Sequence, residues 1–295
     1  MFIMMTVFMY LTVCLFGLVI GSFLNVCICR IPEKQSISFP PSHCTSCNHK
    51  LGISDLFPIF SYLFLGGKCR YCKAKISPQY PIVEFLNCAI YAALFYRFGL
   101  TISFFLFAPL SSVLIVLAGI DIKHMLLPDK LVLIAAVLGI IYLLIPQSII
   151  EPSNTIELNG TTVIVSSGVM PAFGHGLGIV SNTYTDRILN ALIGALAGGG
   201  IFWLIAVVTR GNMGGGDIKL MAALGILFGL KGTAMVFLLA FVIGSVVSLI
   251  IVRVKKGGRK TAVPFGPFII LAAFITIFFY SPIAQTYMKL AGLNY

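Results

Sequence analysis

The stretch Ser111-Ser-Val-Leu-Ile-Val-Leu-Ala-Gly-Ile-Asp121 places an uncharged apolar run directly before an aspartate. The run belongs to a longer uncharged segment, residues 100–120, and about 20 mostly apolar residues are enough for a helix to cross a bilayer. An ionisable side chain close to the hydrocarbon is costly, so such a residue is a candidate for function. The stretch therefore predicts a membrane helix that carries a reactive carboxylate at one end.

The rest of the chain repeats this pattern of apolar segments. It is 59% hydrophobic and only 10% charged, with a mean hydropathy of +1.03, whereas a soluble domain carries about 25% charged residues. We therefore predict an all-α polytopic membrane protein with about eight transmembrane helices. The predicted spans cover residues 3–26, 81–98, 100–120, 129–146, 187–209, 217–231, 233–253 and 265–287.

The 20 Lys and Arg residues are unevenly divided between the two sides of this arrangement. Sixteen lie in or beside the loops that follow spans one, three, five and seven, and four lie on the opposite side. Cytoplasmic loops carry the excess of positive charge, so the N-terminus is predicted outside and Asp121 at the cytoplasmic face. The net charge of +11 then reflects orientation and contact with the lipid bilayer, and no nucleic-acid partner is predicted.

Two segments interrupt the apolar pattern. Residues 30–80 are polar and cysteine-rich and are predicted to form a cytoplasmic module. Residues 147–185 are predicted to lie outside, where the alternation around Asn159-Gly160 indicates a β-hairpin. The predicted domains are residues 1–29 (first helix), 30–80 (Cys-rich module), 81–146 (helices two to four), 147–185 (outside loop) and 186–295 (helices five to eight).

A second aspartate stands in the segment Gly211-Asn-Met-Gly-Gly-Gly-Asp-Ile-Lys-Leu220, at the start of span six. Three consecutive glycines let the backbone adopt positive φ angles and let another backbone or a peptide approach closely. Taken alone, Asp217 is better explained as an acid in the first helical turn after a flexible interfacial loop. Together with Asp121 at the same predicted face, it becomes half of a candidate catalytic pair.

Two carboxylates that meet cannot both ionise easily, so they share one proton. One then acts as a base on water while the other donates a proton to a scissile carbonyl, which hydrolyses a peptide without a metal or a covalent intermediate. The chain contains no Gly-x-Ser-x-Gly and no His-Glu-x-x-His sequence, and His124 is interpreted as a headgroup-level residue. Asp129 follows Pro128 and suits either the first turn of the next helix or a functional role.

Four of the eight cysteines form two C-x-x-C pairs, Cys44-Thr-Ser-Cys47 and Cys69-Arg-Tyr-Cys72, separated by 21 residues. This spacing is typical of a tetrathiolate zinc site, and a short module with few apolar residues needs such a staple. Cytoplasmic thiols stay reduced, which disfavours disulfides. Redox C-x-x-C chemistry and unmetallated thiols are the alternatives to a structural Zn²⁺ ion.

Six short motifs follow one another along the chain. They are Gly21-Ser-Phe-Leu-Asn-Val26, the paired C-x-x-C module, Ile76-Ser-Pro-Gln-Tyr-Pro-Ile-Val-Glu84, the segment from Asp121 to Pro128-Asp129, Gly214-Gly-Gly-Asp-Ile-Lys219 and Pro264-Phe-Gly-Pro-Phe268. In this order they resemble the bacterial type IV prepilin peptidases (prepilin leader peptidase/N-methyltransferases), which are aspartyl proteases of the G-x-G-D class. The resemblance extends from the first predicted helix to the last.

The resemblance implies an aspartic endopeptidase of the bacterial inner membrane. Such enzymes remove the leader peptide of type IV prepilins and type II secretion pseudopilins at the cytoplasmic face, and many then methylate the new N-terminal residue with S-adenosylmethionine. Asp121 and Asp217 would carry the cleavage, in a peptidase core formed by residues 81–146 and 186–295. The candidate substrate-binding residues are Gly214, Gly215, Gly216, Asp129, Lys219 and Glu84, the last as a partner for a basic leader.

Two other classes of protein fit part of this pattern. A transporter or channel could use intramembrane acids to carry protons or cations, but it has no need of the Cys-rich module or of the basic face. A G-x-G-D protease of the presenilin type also has its second aspartate after Gly-x-Gly, but members of that class lack this cysteine module. Removal of the leader from a co-expressed prepilin distinguishes the three classes.

Overall fold

The computed structural model of the protein describes residues 2–146, 154–158, 161–165, 184–210, 213–254 and 263–290. It consists of two compact units, Met1–His124 and Met125–Tyr295, and each is described by itself. The described helices are α1 (Phe2–Arg30), α2 (Phe60–Phe64), α3 (Gln79–Phe98), α4 (Ile102–His124), α5 (Asp129–Leu144), α6 (Tyr184–Val208), α7 (Gly215–Val254) and α8 (Gly266–Leu290).

These helices account for all the predicted spans, with two spans on the long helix α7. Five of the helices in the described ranges are long and apolar enough to cross a membrane, and α3 and α5 coincide with two further predicted spans. The prediction of an all-α polytopic membrane protein is therefore confirmed. The boundaries differ by a few residues, and α4 continues past its apolar run to His124, so Asp121 lies inside the helix.

In the first unit, α1 packs against both α3 and α4. A Cβ atom at Gly21 would lie only 2.7 Å from the Cα of Glu84, so this glycine permits the close approach of α1 to α3. The fully buried Asn87 donates to the carbonyl of Gly17 at 2.7 Å and accepts from the hydroxyl of Ser112 at 3.0 Å. Because hydrocarbon offers no competing partners, this amide ties the three helices together.

In the second unit, α7 packs against α5, α6 and α8. The predicted break between spans six and seven lies within α7 at Gly229, whose φ of 62° is in the left-handed region that favours glycine. The Asn190 side chain of α6 accepts a hydrogen bond from the N–H of Leu230 at 2.9 Å. A membrane helix can be interrupted where a neighbouring helix satisfies the exposed backbone, and Asn190 does so here.

Two strands lie in the segment between α5 and α6. β1 (Asn154–Leu158) and β2 (Thr161–Val165) pair in antiparallel register, with Leu158 opposite Thr161. The predicted hairpin is confirmed by this pairing. Residues 159–160 of its turn, and residues 147–153 and 166–183 of the predicted outside loop, lie outside the described residues.

Candidate active site

Asp121 lies in the last turn of α4, with only 5% of its surface exposed. The preceding turn buries Leu117 and Ile120 completely. The carboxyl group therefore stands at the point where an apolar membrane helix becomes polar, next to Lys123 and His124. A buried acid in this position is energetically costly, which makes it a candidate for function.

Asp217 lies in the first turn of α7 and is 7% exposed. Its backbone N–H donates to the carbonyl of Gly214 at 3.1 Å, which closes the first turn of the helix. The first turn of a helix is the positive end of its dipole and suits a carboxylate. The second predicted catalytic residue is thus also a buried acid at the end of an apolar helix.

The three glycines before Asp217 differ in what surrounds them. None of them has a positive φ, because Gly215 already begins α7, so the left-handed conformation that glycine permits is not used here. The prediction of a close approach is correct for one of them. A Cβ atom at Gly216 would lie 2.7 Å from the Cβ of Leu127, whereas a Cβ atom at Gly215 would meet nothing within 4 Å.

This difference predicts opposite effects for two neighbouring alanine substitutions. Gly216→Ala must displace Leu127, and overpacking of this kind costs about 1–3 kcal/mol. Gly215→Ala enters open space and removes a flexible residue from a helix, which stabilises by about 0.5–1 kcal/mol. The thermal unfolding midpoint of the purified chain in detergent should fall for Gly216→Ala and hold or rise for Gly215→Ala. Equal midpoints for both variants would contradict the packing described here.

Asp129 and Lys219, both predicted to bind substrate, form an ion pair. The Lys219 Nζ lies 2.7 Å from the Asp129 Oδ1 and joins the first turn of α5 to the first turns of α7. The side chains are 71% and 57% exposed, for Asp129 and Lys219 respectively. Because solvent screens such pairs, this one contributes at most about 1 kcal/mol to stability.

Glu84, the sixth predicted substrate-binding residue, is buried in α3 with 5% of its surface exposed. Its Oε2 accepts a hydrogen bond from the backbone N–H of Ile59 at 2.7 Å. The carboxylate therefore binds the backbone of the Cys-rich module and does not face solvent. The sequence offers no signal for this contact, because the two residues lie 25 positions apart on different elements.

The thiol sulfurs of Cys44, Cys47, Cys69 and Cys72 all lie within 4.8 Å of one another. The Cys44 and Cys72 sulfurs are 3.8 Å apart. A tetrahedral zinc ion with Zn–S bonds of about 2.3 Å requires sulfurs about 3.8 Å apart, so the cluster has the dimensions of a tetrathiolate metal site. All eight cysteines of the chain are free thiols.

The two C-x-x-C loops have the same backbone structure. In each, the N–H of the first cysteine donates to the carbonyl five residues later, and the residue four positions later donates back to the cysteine. These bonds are Cys44 to His49 and Asn48 to Cys44 in the first loop, and Cys69 to Ala74 and Lys73 to Cys69 in the second, at 2.8–3.0 Å. Asn48 and Lys73 both adopt left-handed conformations, with φ of 56° and 59°.

Backbone N–H groups also point at the sulfurs. The pKa of Cys44 is lowered to about 6 because the N–H groups of Cys47 and Ser46 donate to its sulfur. For Cys72, the N–H of Ala74 lowers the pKa, but desolvation and the neighbouring thiols outweigh it and raise the pKa to about 11. These N–H groups favour the thiolate form of Cys44, and thiolate is the form that binds a metal.

Comparison with known proteins gives the same assignment along most of the chain. Residues 15–98 match the bacterial peptidase A24 N-terminal domain, and residues 108–249 match the type IV leader peptidase family. A prepilin leader peptidase/N-methyltransferase of Xanthomonas campestris is 31% identical over 94% of this chain and 94% of its own length. Proteins of the same name from Pseudomonas aeruginosa and Bacillus subtilis are each 30% identical, over 95% and 94% of this chain and 93% and 97% of their own lengths.

No solved structure matches the chain. The sequence relatives favour a peptidase over a transporter or a presenilin-type protease, because the match includes both the Cys-rich N-terminal region and the segment with Asp121 and Asp217. The chain therefore belongs to the type IV leader peptidase family.

Proposed function

We propose that this membrane peptidase removes the leader of type IV prepilins and type II secretion pseudopilins, with Asp121 and Asp217 as its catalytic residues. We propose further that it methylates the new N-terminal residue, with S-adenosylmethionine as the methyl donor. The peptidase class follows from membership of the family. The assignment of the two aspartates rests on their burial at the ends of apolar helices.

One contact within the second unit carries the proposal that the aspartates act together. The Leu127 side chain packs against Gly216, the residue directly before Asp217. Leu127 lies in the short connection that leaves α4, six residues after Asp121 in the chain. The segment that follows Asp121 in the chain therefore packs, through Leu127, against the first turn of α7, which carries Asp217.

The chemistry requires only these two carboxyl groups and a water molecule. The ionised carboxylate takes a proton from water, and the resulting hydroxide attacks the carbonyl carbon of the residue before the cut. The protonated carboxyl donates its proton to the carbonyl oxygen. The tetrahedral intermediate then collapses, the C–N bond breaks, and a proton passes to the leaving amine.

The substrate-binding proposal differs between the predicted residues. The Asp129–Lys219 pair is exposed beside Asp217 and can be opened by a charged leader at little cost. Gly215 leaves open space at the start of α7, which suits an approaching peptide backbone. Glu84 would act on the substrate only indirectly, by holding the module through Ile59.

The cysteine cluster is proposed to hold a structural Zn²⁺ ion. Cys44, Cys47, Cys69 and Cys72 would be its four ligands, which leaves no open position for substrate. S-adenosylmethionine is assigned to no residue. The described part of the chain contains no strand followed by a glycine-rich turn and a helix, which is the common binding motif for a nucleotide cofactor.

The proposed orientation places the N-terminus outside and both aspartates at the cytoplasmic face of the inner membrane. A prepilin has a basic leader and a long apolar helix, so its cut site would lie at the same face. The test is co-expression with a prepilin, with leader removal followed by gel shift and the mature N-terminus analysed by mass spectrometry. A shortened pilin with one added methyl group is expected. An uncut prepilin would contradict the proposed peptidase activity. A prepilin that is cut but not methylated would contradict the proposed methyltransferase activity.

A further inference from the structure

The Cys-rich module exposes an unusual number of large apolar side chains on one short segment. Six of them are 40–89% exposed within residues 53–64, and we call them the apolar patch. Contiguous apolar exposure of this kind marks an interaction surface. The patch consists of Ile53, Leu56, Phe57, Phe60, Leu63 and Phe64.

The patch lies beside the N-terminal turns of α3, which is a predicted membrane helix. Ile59, in the middle of the segment, donates its N–H to the buried carboxylate of Glu84 in α3 at 2.7 Å. Glu84 is five residues beyond the first residue of α3, Gln79, which corresponds to a depth of about 7.5 Å along the helix axis. Ile82 and Phe85 of α3 are 60% and 65% exposed, as expected for side chains that face lipid.

The backbone at this contact is strained. Ile59 has a φ of 59°, in the left-handed region that β-branched residues rarely adopt. Such a conformation persists only where the surroundings impose it. The hydrogen bond to Glu84 is one such restraint, so the direction in which α2 and the patch point is set by the fold.

The module is also basic. Residues 30–80 contain seven Lys and Arg residues and two acids, a net charge of +5. One acid, Asp55, already pairs with Arg70 at 2.6 Å, which leaves exposed positive charge at Lys50, Lys68 and Lys73. A module that carries both exposed apolar side chains and exposed positive charge fits a surface that binds anionic membranes.

We propose that the apolar patch inserts into the bilayer at the face where α1 ends and α3 begins, with the lysines against anionic headgroups. The tether to Glu84 places the patch at the depth where interfacial segments bury their apolar side chains, about 5–10 Å into the headgroup and acyl boundary. The patch would thereby hold the Cys-rich module flat on the membrane. This assignment does not depend on the catalytic proposal.

Tryptophan fluorescence of the full chain in lipid nanodiscs tests this directly. Trp203, the single tryptophan, is 60% exposed on the apolar helix α6 and serves as the lipid-facing reference. In a Trp203→Phe background, Phe64→Trp reports on the patch, and Thr45→Trp at the exposed first C-x-x-C loop is the matched control. The nanodiscs contain phosphatidylcholine with brominated acyl chains, with or without phosphatidylglycerol.

The Phe64→Trp chain should be quenched by the brominated lipid about as strongly as Trp203 in the parent and resist aqueous acrylamide. The Thr45→Trp chain should show the reverse, and phosphatidylglycerol should deepen the quenching only for Phe64→Trp. Acrylamide quenching of Phe64→Trp equal to that of Thr45→Trp would overturn the proposal. Protection that appears only after a prepilin is added would overturn it too, because the patch would then bind substrate. Metal content equal to that of the parent shows that each variant is folded.

Discussion

Replacing Asp121 or Asp217 with asparagine should abolish cleavage of a co-expressed prepilin while the protein remains in the membrane at normal levels. Asparagine keeps the shape of the side chain but can neither accept the proton from water nor donate one to the carbonyl oxygen. General acid or base catalysis alone contributes about 10²–10⁴-fold, and a residue needed for both halves of the reaction carries at least that much. Each single variant should therefore be as inactive as the double variant.

The chain provides a matched control for this experiment. Asp186 is also a buried acid, 8% exposed, in the first turn of the apolar helix α6. It lies at the end of its helix that is predicted to face outside, so Asp186→Asn should retain cleavage. Membrane levels are followed by immunoblot and leader removal by gel shift. Processing by either Asp121→Asn or Asp217→Asn would remove that residue from the catalytic pair.

Replacing Cys69 with serine should reduce the bound zinc of the purified chain from about one ion per chain to near zero. Cys69 is the most buried of the four ligands, 4% exposed, and its loss leaves a three-sulfur site around a hydroxyl that binds zinc poorly. Structural zinc sites in small modules contribute about 10–16 kcal/mol of apparent folding free energy, so the module should also become sensitive to proteolysis. Metal is measured by elemental analysis and cleavage of the module by limited trypsin digestion.

Cys14→Ser is the matched control, because Cys14 lies within α1 and is not part of the cluster. It should leave both zinc content and protease resistance unchanged. A chelator should reproduce the Cys69→Ser result in the parent chain. Acidification should do so as well, because the ligands bind zinc as thiolates and protons compete with the metal for the sulfurs. Unchanged zinc content in Cys69→Ser would rule out the tetrathiolate site.

Features that depend only on residues close together in the sequence were predictable from it. The length of each apolar run determines whether a helix can cross the bilayer, and this predicted α1, α4, α6, α7 and α8 to within a few residues. The cysteine spacing likewise predicted the clustering of the four thiols, because each C-x-x-C pair is a closed local loop. At Gly214–Gly216 the sequence showed only that positive φ angles are permitted, and none of the three glycines adopts one.

The sequence alone therefore determined the class of the protein, the helix ends at which Asp121 and Asp217 lie, and the two loops that carry the paired cysteines. Tertiary structure decided which distant residues meet: Leu127 against Gly216, Lys219 with Asp129 across 90 positions, and Ile59 on Glu84. These contacts arise from helix packing, which depends on side chains contributed by several helices at once. No single segment contains that information, because a bilayer-spanning sequence specifies its own helix and not its neighbours.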